Sequence, residues 1–246
     1  MNTKQKFKRH EKKFLISKDE MDRFLRDCGE KLEKSPFYKS TVISIYFDTD
    51  NNDLIIHSIE KPEFKEKIRV RSYNTPKLED EVFFEIKTKL TEIDGKIGYK
   101  RRFLLKLEDF YRYLDGEFQL TDEQVAKEIN YITKHLNLSP KILIASDRKS
   151  YQGTENPDVR VTFDENLRYR RNNLRLEKGS RGKKYFENSE KCVILEVKAN
   201  DSFPLWLVSA LSKNKIFPQS FSKYGKIYQK EYYEGEKCSD PSSTRT

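Results

Sequence analysis

Arg69 and Arg71 stand two positions apart in Glu66-Lys67-Ile68-Arg69-Val70-Arg71-Ser72-Tyr73, a stretch in which basic and apolar residues alternate. Guanidinium forks bind phosphate oxygens in two-point geometry and lysines add movable point charge, so this spacing suits an anion with several oxygens. It does so only on an extended chain, where residues two apart share a face about 7 Å from each other. Lys67 then falls in line behind the arginines, while Ile68 and Val70 point the other way. One such strand alone reads as an ordinary sheet with a wet face.

The pattern recurs in three further stretches. Val82, Phe84 and Ile86 oppose Glu81, Glu85, Lys87 and Lys89; Val159, Val161 and Phe163 oppose Arg160, Thr162 and Asp164; and in Val193-Ile194-Leu195-Glu196-Val197-Lys198 the apolar set opposes Glu196 and Lys198. Strands that each set Arg, Lys and a few carboxylates against Val, Ile and Phe can close into a barrel with a polar interior. Such an interior suits a polyanion. The formal net charge of +9 over 246 residues favours an anionic partner at long range. Charge by itself leaves nucleic acid, nucleotide, polyphosphate and an acidic membrane open.

Hydrophobic residues are 35% of the chain against 36% charged, yet the 13% aromatic content supplies core volume that a disordered chain lacks. No internal repeat, heptad run or Pro-rich linker marks a second unit, so one domain is expected over residues 1–234, followed by a disordered polar tail over 235–246. The three cysteines, Cys28, Cys192 and Cys238, show no C-x-x-C spacing and are odd in number, which points to a reducing compartment. No signal-peptide core or run of about 18 apolar residues occurs, so the expectation is a soluble, cytoplasmic chain.

The elements that position these residues follow in order. Phe7 to Ile16 reads as a strand with Arg9, Glu11 and Lys13 on one side; Ser17-Lys18-Asp19-Glu20 is a capping box opening a helix with Met21, Phe24, Leu25 and Cys28 at helical spacing. Thr41 to Asp48 is a strand with Ile43, Ile45 and Phe47 alternating against Val42, Ser44 and Tyr46. Asn74-Thr75-Pro76-Lys77 and Asp94-Gly95 are turns of an antiparallel meander. Helices are expected from Glu108 to Leu114, after a cap at Thr121-Asp122-Glu123-Gln124, and from Pro204; strands return at Lys141–Tyr151, Asp158–Asp164 and Lys191–Lys198. Gly179-Ser180-Arg181-Gly182-Lys183-Lys184 lacks the glycine gap and the Ser or Thr after lysine that a phosphate loop needs, and reads as a mobile, solvated connection. His10, His57 and His135 have no metal-type spacing, and no Ser-His-Asp, Cys-His or dinucleotide fingerprint is legible. Nucleic-acid binding is the rival on charge and aromatics, but the basic residues sit in strands with no recognition helix or RNP-type motif.

Taken in order, Arg9-x-Glu11-x-Lys13-Phe14, Ile68-Arg69-Val70-Arg71, Glu85-Ile86-Lys87-Thr88, Lys100-Arg101-Arg102-Phe103, Asp147-Arg148, Val159 to Leu167, Leu195-Glu196-Val197-Lys198 and Ser220-Phe221-Ser222-Lys223-Tyr224 resemble the VTC domain, the catalytic module of the vacuolar transporter chaperone polyphosphate polymerase. The likeness spans about residues 7 to 232. It implies an α+β, β-dominated fold of the triphosphate tunnel metalloenzyme (CYTH-like) type, a closed antiparallel eight-stranded barrel with flanking helices. It implies phosphate or nucleotide binding by Lys13, Arg69, Arg71, Lys87, Lys100, Arg148, Arg160, Lys198, Ser222 and Lys223. Catalytic roles fall on Lys87, Arg148, Arg160 and Glu196, with Glu196 also the ligand of Mn²⁺ or Mg²⁺. The chain departs from the eukaryotic pattern at Ser220, where a basic residue stands, and at Ser146, where a tyrosine stands. A single glutamate between Arg9 and Lys13, rather than a pair, argues against cyclase and thiamine triphosphatase activities.

The expected activity is transfer of the γ-phosphate of ATP to phosphate, pyrophosphate or a growing polyphosphate chain, with no specific nucleic acid and a membrane-protein partner left open. A tripolyphosphatase or nucleoside triphosphatase of the same fold, or a non-catalytic polyphosphate-binding module, are the alternatives.

Overall fold

A computed structural model describes residues 9–92, 95–187, 192–200 and 202–239. In chain order they form β1 (Arg9–Ile16), α1 (Lys18–Cys28), β2 (Leu32–Asp48), α2 (Asp53–Ile59), β3 (Phe64–Tyr73), β4 (Glu81–Glu92), β5 (Gly95–Lys106), α3 (Leu107–Leu114), α4 (Gln124–His135), β6 (Ser139–Gly153), β7 (Arg160–Arg170), β8 (Lys183–Lys184), β9 (Val193–Asn200), α5 (Leu205–Lys213) and α6 (Lys223–Ser239). The strands make one antiparallel sheet in the order β1-β9-β7-β6-β2-β3-β4-β5, with β8 beside β7. The Asp94-Gly95 turn falls partly outside the described residues, and so do residues 240–246 of the expected tail. The backbone of α6 continues past Gly235 to Ser239.

The sheet corrects the expectation of a closed barrel, because β1 and β5 are its two edges and do not pair with each other. It is nonetheless strongly curled. Six strand spacings separate β1 from β4, about 29 Å in a flat sheet, yet Lys87 Nζ of β4 lies 3.6 Å from a Glu11 carboxylate oxygen of β1. Only a sheet bent back on itself lets those side chains meet. The outer edge of β1 is taken up by the segment before α6, where the Gln219 N–H donates to the Lys13 carbonyl at 2.7 Å.

Period-two alternation sorts the side chains. On the convex face, Ile43, Ile45, Phe47, Ile68, Val70, Val82, Phe84, Ile86 and Phe103 pack under α3 and α4 through Phe110, Ala126 and Ile129. Across the rest of that face, Phe14, Ile16, Val161, Phe163, Leu195 and Val197 pack against Met21 and Phe24 of α1 and Leu207 and Ala210 of α5. The α1 capping box forms as its sequence requires, with Glu20 N–H donating to Ser17 Oγ and Ser17 N–H to the Glu20 carboxylate. At α4 the expected Thr121 cap is absent; the helix starts after Glu123 without a side-chain cap.

The concave face is divided. One end is apolar, where Tyr46, Ile142, Ile144, Leu167, Tyr169 and Ile194 pack on Ile55 of α2, on Phe221 just before α6, and on Tyr224 and Ile227 in its first turns. A bulge makes this division possible: Asn166, at φ 50°, adds a residue to β7 and shifts the register against β6, so Asp164 and Leu167 both reach the concave side. Asp48 ties the plug together, its carboxylate accepting from the N–H groups of Leu54 and Ile55 in α2 and from the Tyr224 hydroxyl of α6. The Gly179–Lys184 connection, expected to be mobile, is latched instead: Arg168 donates to the Ser180 carbonyl and Arg170 to the carbonyls of Gly179 and Arg181.

Candidate functional site

The other end of the concave face carries the charge. Lys67, Arg69 and Arg71 project from β3 beside Glu85 and Lys87 of β4 and Lys100 of β5, as the alternation requires. Glu85 is fully buried and anchors this wall: Arg69 Nε lies 2.7 Å, Lys100 Nζ 2.8 Å and Arg71 Nε 3.9 Å from its carboxylate oxygens. Burial would raise the Glu85 carboxyl, but Arg69, Arg71 and Lys100 hold it down at about 2. The Arg69 guanidinium also donates to the Tyr46 hydroxyl at 3.0 Å, and Arg71 to Ser44 Oγ at 3.2 Å.

On the opposite wall, Asp164 of β7 is buried and receives both arms of Arg148, at 2.7 Å each, together with Lys223 Nζ at 2.7 Å. Burial opposes its charge, yet Lys223 and Arg148 keep it well below the usual carboxylate range. Lys223 also donates to Ser146 Oγ, so the smaller residue at that position serves as a hydrogen-bond partner. Ser222 opens α6 by accepting from the Gly225 N–H, and it accepts from Lys67 Nζ at 2.8 Å. The N-terminus of α6, with its partial positive charge, therefore faces the cationic end.

Between the walls lies a lysine cluster. Lys13 and Lys198 flank Glu196 at 3.9 and 3.1 Å, and Lys13, Lys87 and Lys198 come within 3.5 to 3.8 Å of Glu11. Burial pulls the Lys87 ammonium down to about 7 and Lys67 down to about 8. Burial would raise Glu196, but Lys198, Lys13, a hydrogen bond with Glu11 and Lys87 hold it well below the ordinary value. Tyr46 follows the same logic: burial opposes its ionisation, but Arg69 and Arg71 bring the hydroxyl to about 7.

The structure thus brings together Lys13, Arg69, Arg71, Lys87, Lys100, Arg148, Lys198, Ser222, Lys223 and Glu196. Arg160 shares this face, opposite Lys198 in register, and is exposed and without an ion pair among the described residues. Sequence reasoning missed Glu85 and Asp164 as the anchors of the two arginine clusters, Glu11 as the partner of Glu196, and Tyr46. The paired alternation on β2 and β3 was the signal that could have placed Tyr46 opposite Arg69, its register partner.

Nine cations, counting Lys67, here face four carboxylates, Glu11, Glu85, Asp164 and Glu196. Side-chain exposures of 20% to 39% at Lys13, Lys87, Lys100, Lys198 and Lys223 leave the cluster open to solvent and to a ligand. Among the described residues, no three Asp, Glu, His or Cys side chains converge on a cation site. No helix among them is long and apolar enough to cross a membrane.

Among solved structures, the chain is similar to a proposed adenylate cyclase of Bacillus halodurans, with a TM-score of 0.48 and 14% identity over 87% of this chain and 95% of that one. It is 26% identical over 147 residues to vacuolar transporter chaperone complex subunit 4 of Schizosaccharomyces pombe, and 28% identical over 155 residues to the subunit of the same name from Trypanosoma brucei brucei. Each match takes in 52% of this chain and 20% of the relative, so the matched region is about a fifth of those proteins. The family model described as the VTC domain matches residues 8–232. The chain belongs to the VTC domain family.

Proposed function

We propose that this chain is a polyphosphate polymerase that moves the γ-phosphate of ATP onto phosphate or a polyphosphate chain and releases ADP. The observation that carries the reading is the excess of cations over carboxylates on one concave, solvent-reached face. Crowded like charges destabilise a fold unless an anion joins them, and a linear chain of phosphates supplies charge along the whole line of the cluster. Family membership supports the same reading.

Phosphoryl transfer asks little covalent chemistry of a protein; it asks that the reacting phosphates be aligned and their charge neutralised. Arg69 and Arg71 are held in place by Glu85, and Arg148 by both oxygens of Asp164, so their remaining donors are pre-aimed before substrate arrives. Lys13, Lys87 and Lys198 sit between these fixed groups and can follow a moving phosphate. Glu11 and Glu196 fit a divalent cation, because Mg²⁺ is commonly held by one or two carboxylates with substrate phosphates completing its shell. Thr162 Oγ1, buried beside Glu196 in register and without a hydrogen-bond partner, adds an available oxygen there. When bound, Mn²⁺ or Mg²⁺ would supply positive charge that neutralises the phosphate oxygens.

The test is incubation of the purified chain with ATP and Mn²⁺, with polyphosphate and free phosphate measured separately. Chain growth is expected in the wild type and a loss of at least about 100-fold in Glu196→Gln, the scale on which removal of a charge-stabilising group acts, while tripolyphosphate binding survives. Free phosphate without chain growth would assign a hydrolase, and neither product would leave a binding module.

A further inference from the structure

Tyr73 continues the line of Lys67, Arg69 and Arg71 one step further along β3, about 7 Å beyond Arg71. Here the line ends on an aromatic surface. Tyr73 meets Phe83 of β4 edge to face with centroids 5.9 Å apart, and the Arg102 guanidinium of β5 lies 4.3 Å from the Phe83 centroid. Tyr73 is 43% exposed and Leu104, the register partner of Phe83, is 47% exposed. These side chains belong to the concave side, since Val82, Phe84, Phe103 and Leu105 at the alternating positions fill the convex core. They stand at the end of the cleft away from the start of α6, where Ser222 meets Lys67, so the cationic cluster lies between the helix plug and the aromatic group.

We propose that Tyr73, Phe83 and Arg102 form a platform on which the base of a nucleoside triphosphate stacks while its phosphates lie along Arg71, Lys100 and Arg148. Burial would raise the Tyr73 hydroxyl, but Arg71, which hydrogen-bonds it, and the charges of Lys100 and Arg148 bring it down, so ring and cations share one field. A flat guanidinium and an accessible ring suit the π-face of a base, and the single strand step from Arg71 to Tyr73 is comparable to the reach from an α-phosphate across a ribose. Stacking reads ring area rather than base edges, so ATP and GTP are held alike and both better than UTP. The assignment rests on the nucleotide-dependent reading above.

The test is calorimetric titration of the full chain, wild type, Tyr73→Ala and Tyr73→Phe, with β,γ-imido-ATP and, separately, with tripolyphosphate. Tyr73→Ala is expected to weaken imido-ATP by about 5- to 150-fold and to leave tripolyphosphate within about 2-fold, while Tyr73→Phe, which keeps the ring, binds both like wild type. Unchanged imido-ATP affinity in Tyr73→Ala overturns the platform alone, and so does a fall that tripolyphosphate shares, since Tyr73 would then only order Arg71. A wild-type chain that binds neither ligand overturns the phosphate reading and the platform with it.

Discussion

On the wall built by β3, β4 and β5, arginines close on a fully buried carboxylate, whereas between β1, β9 and β4 lysines surround a buried Glu196 and a half-buried Glu11 that water still reaches. Guanidinium groups stay charged under any condition the fold survives, so the arginine wall is a fixed scaffold. Lysine ammonium groups shift readily when buried, and Lys87 at about 7 responds to whatever charge enters beside it. Under the proposed function the contrast separates two duties: one wall would fix where phosphates lie, and the other would adjust its charge to how many are present.

The contrast breaks most sharply at its anchors. Glu85→Gln leaves Arg69, Arg71 and Lys100 without their shared counter-charge and is expected to cost about 3–5 kcal/mol in urea unfolding, the range for stripping one partner from a buried ion pair. Saturating tripolyphosphate should restore part of that loss. Glu11→Gln, on the wetter side, should cost no more than about 1 kcal/mol. Equal costs at the two positions would erase the distinction between scaffold and adjustable wall.

A smaller effect is expected from the forks themselves. Arg69→Ala and Arg71→Ala should each weaken tripolyphosphate by about 1.5–3 kcal/mol, the scale of a hydrogen bond to a charged group. Unchanged affinity in both variants would place that face outside the binding site.

The smallest effect reads the lysine side. Lys87, Lys67 and Tyr46 all have folded values of about 7 to 8, below their unfolded values near 10, so the unfolded chain holds more protons across that interval. Stability of the anion-free protein therefore rises with pH from about 7 to about 10. A bound polyanion raises all three values, flattens that rise, and draws about two protons per ligand at pH 8 where all three return to near 10. Titrations in two buffers of different ionisation enthalpy measure the uptake; identical heats would show that the lysines do not respond.

Much of this arrangement was legible where alternation is strict. Arg69, Arg71, Lys87, Glu196 and Lys198 face inward because Ile68, Val70, Ile86, Leu195 and Val197 have a core to fill. The first half of β2 was not legible, since residues 32–40 form a ribbon with β6 that has little to bury, and Pro36 falls in a register shift. Closure of the barrel could not be read either, because it depends on whether β1 and β5 meet, and no side-chain pattern encodes that. The buried standing of Glu85 and Asp164 arises from cations that converge on them from different elements, β3 and β5 on Glu85 and β6 and α6 on Asp164, which appears only in the folded arrangement. Ser222 was matched to a phosphate-contacting hydroxyl; its contacts within the protein, to Gly225 and Lys67, come from the position of α6.

The concave face as the anion site is tested most directly by thermal shift and titration with tripolyphosphate and with duplex DNA, at low and physiological salt, on wild type and Arg148→Ala. Tripolyphosphate should bind once per chain and raise the melting temperature with the logarithm of its concentration above Kd, losing little as salt rises because partly buried pairs are weakly screened. A duplex about 20 Å wide meets only the exterior, so its affinity should be low and fall steeply with salt. Duplex DNA as the stronger ligand at physiological salt, or tripolyphosphate binding untouched in Arg148→Ala, would contradict the account.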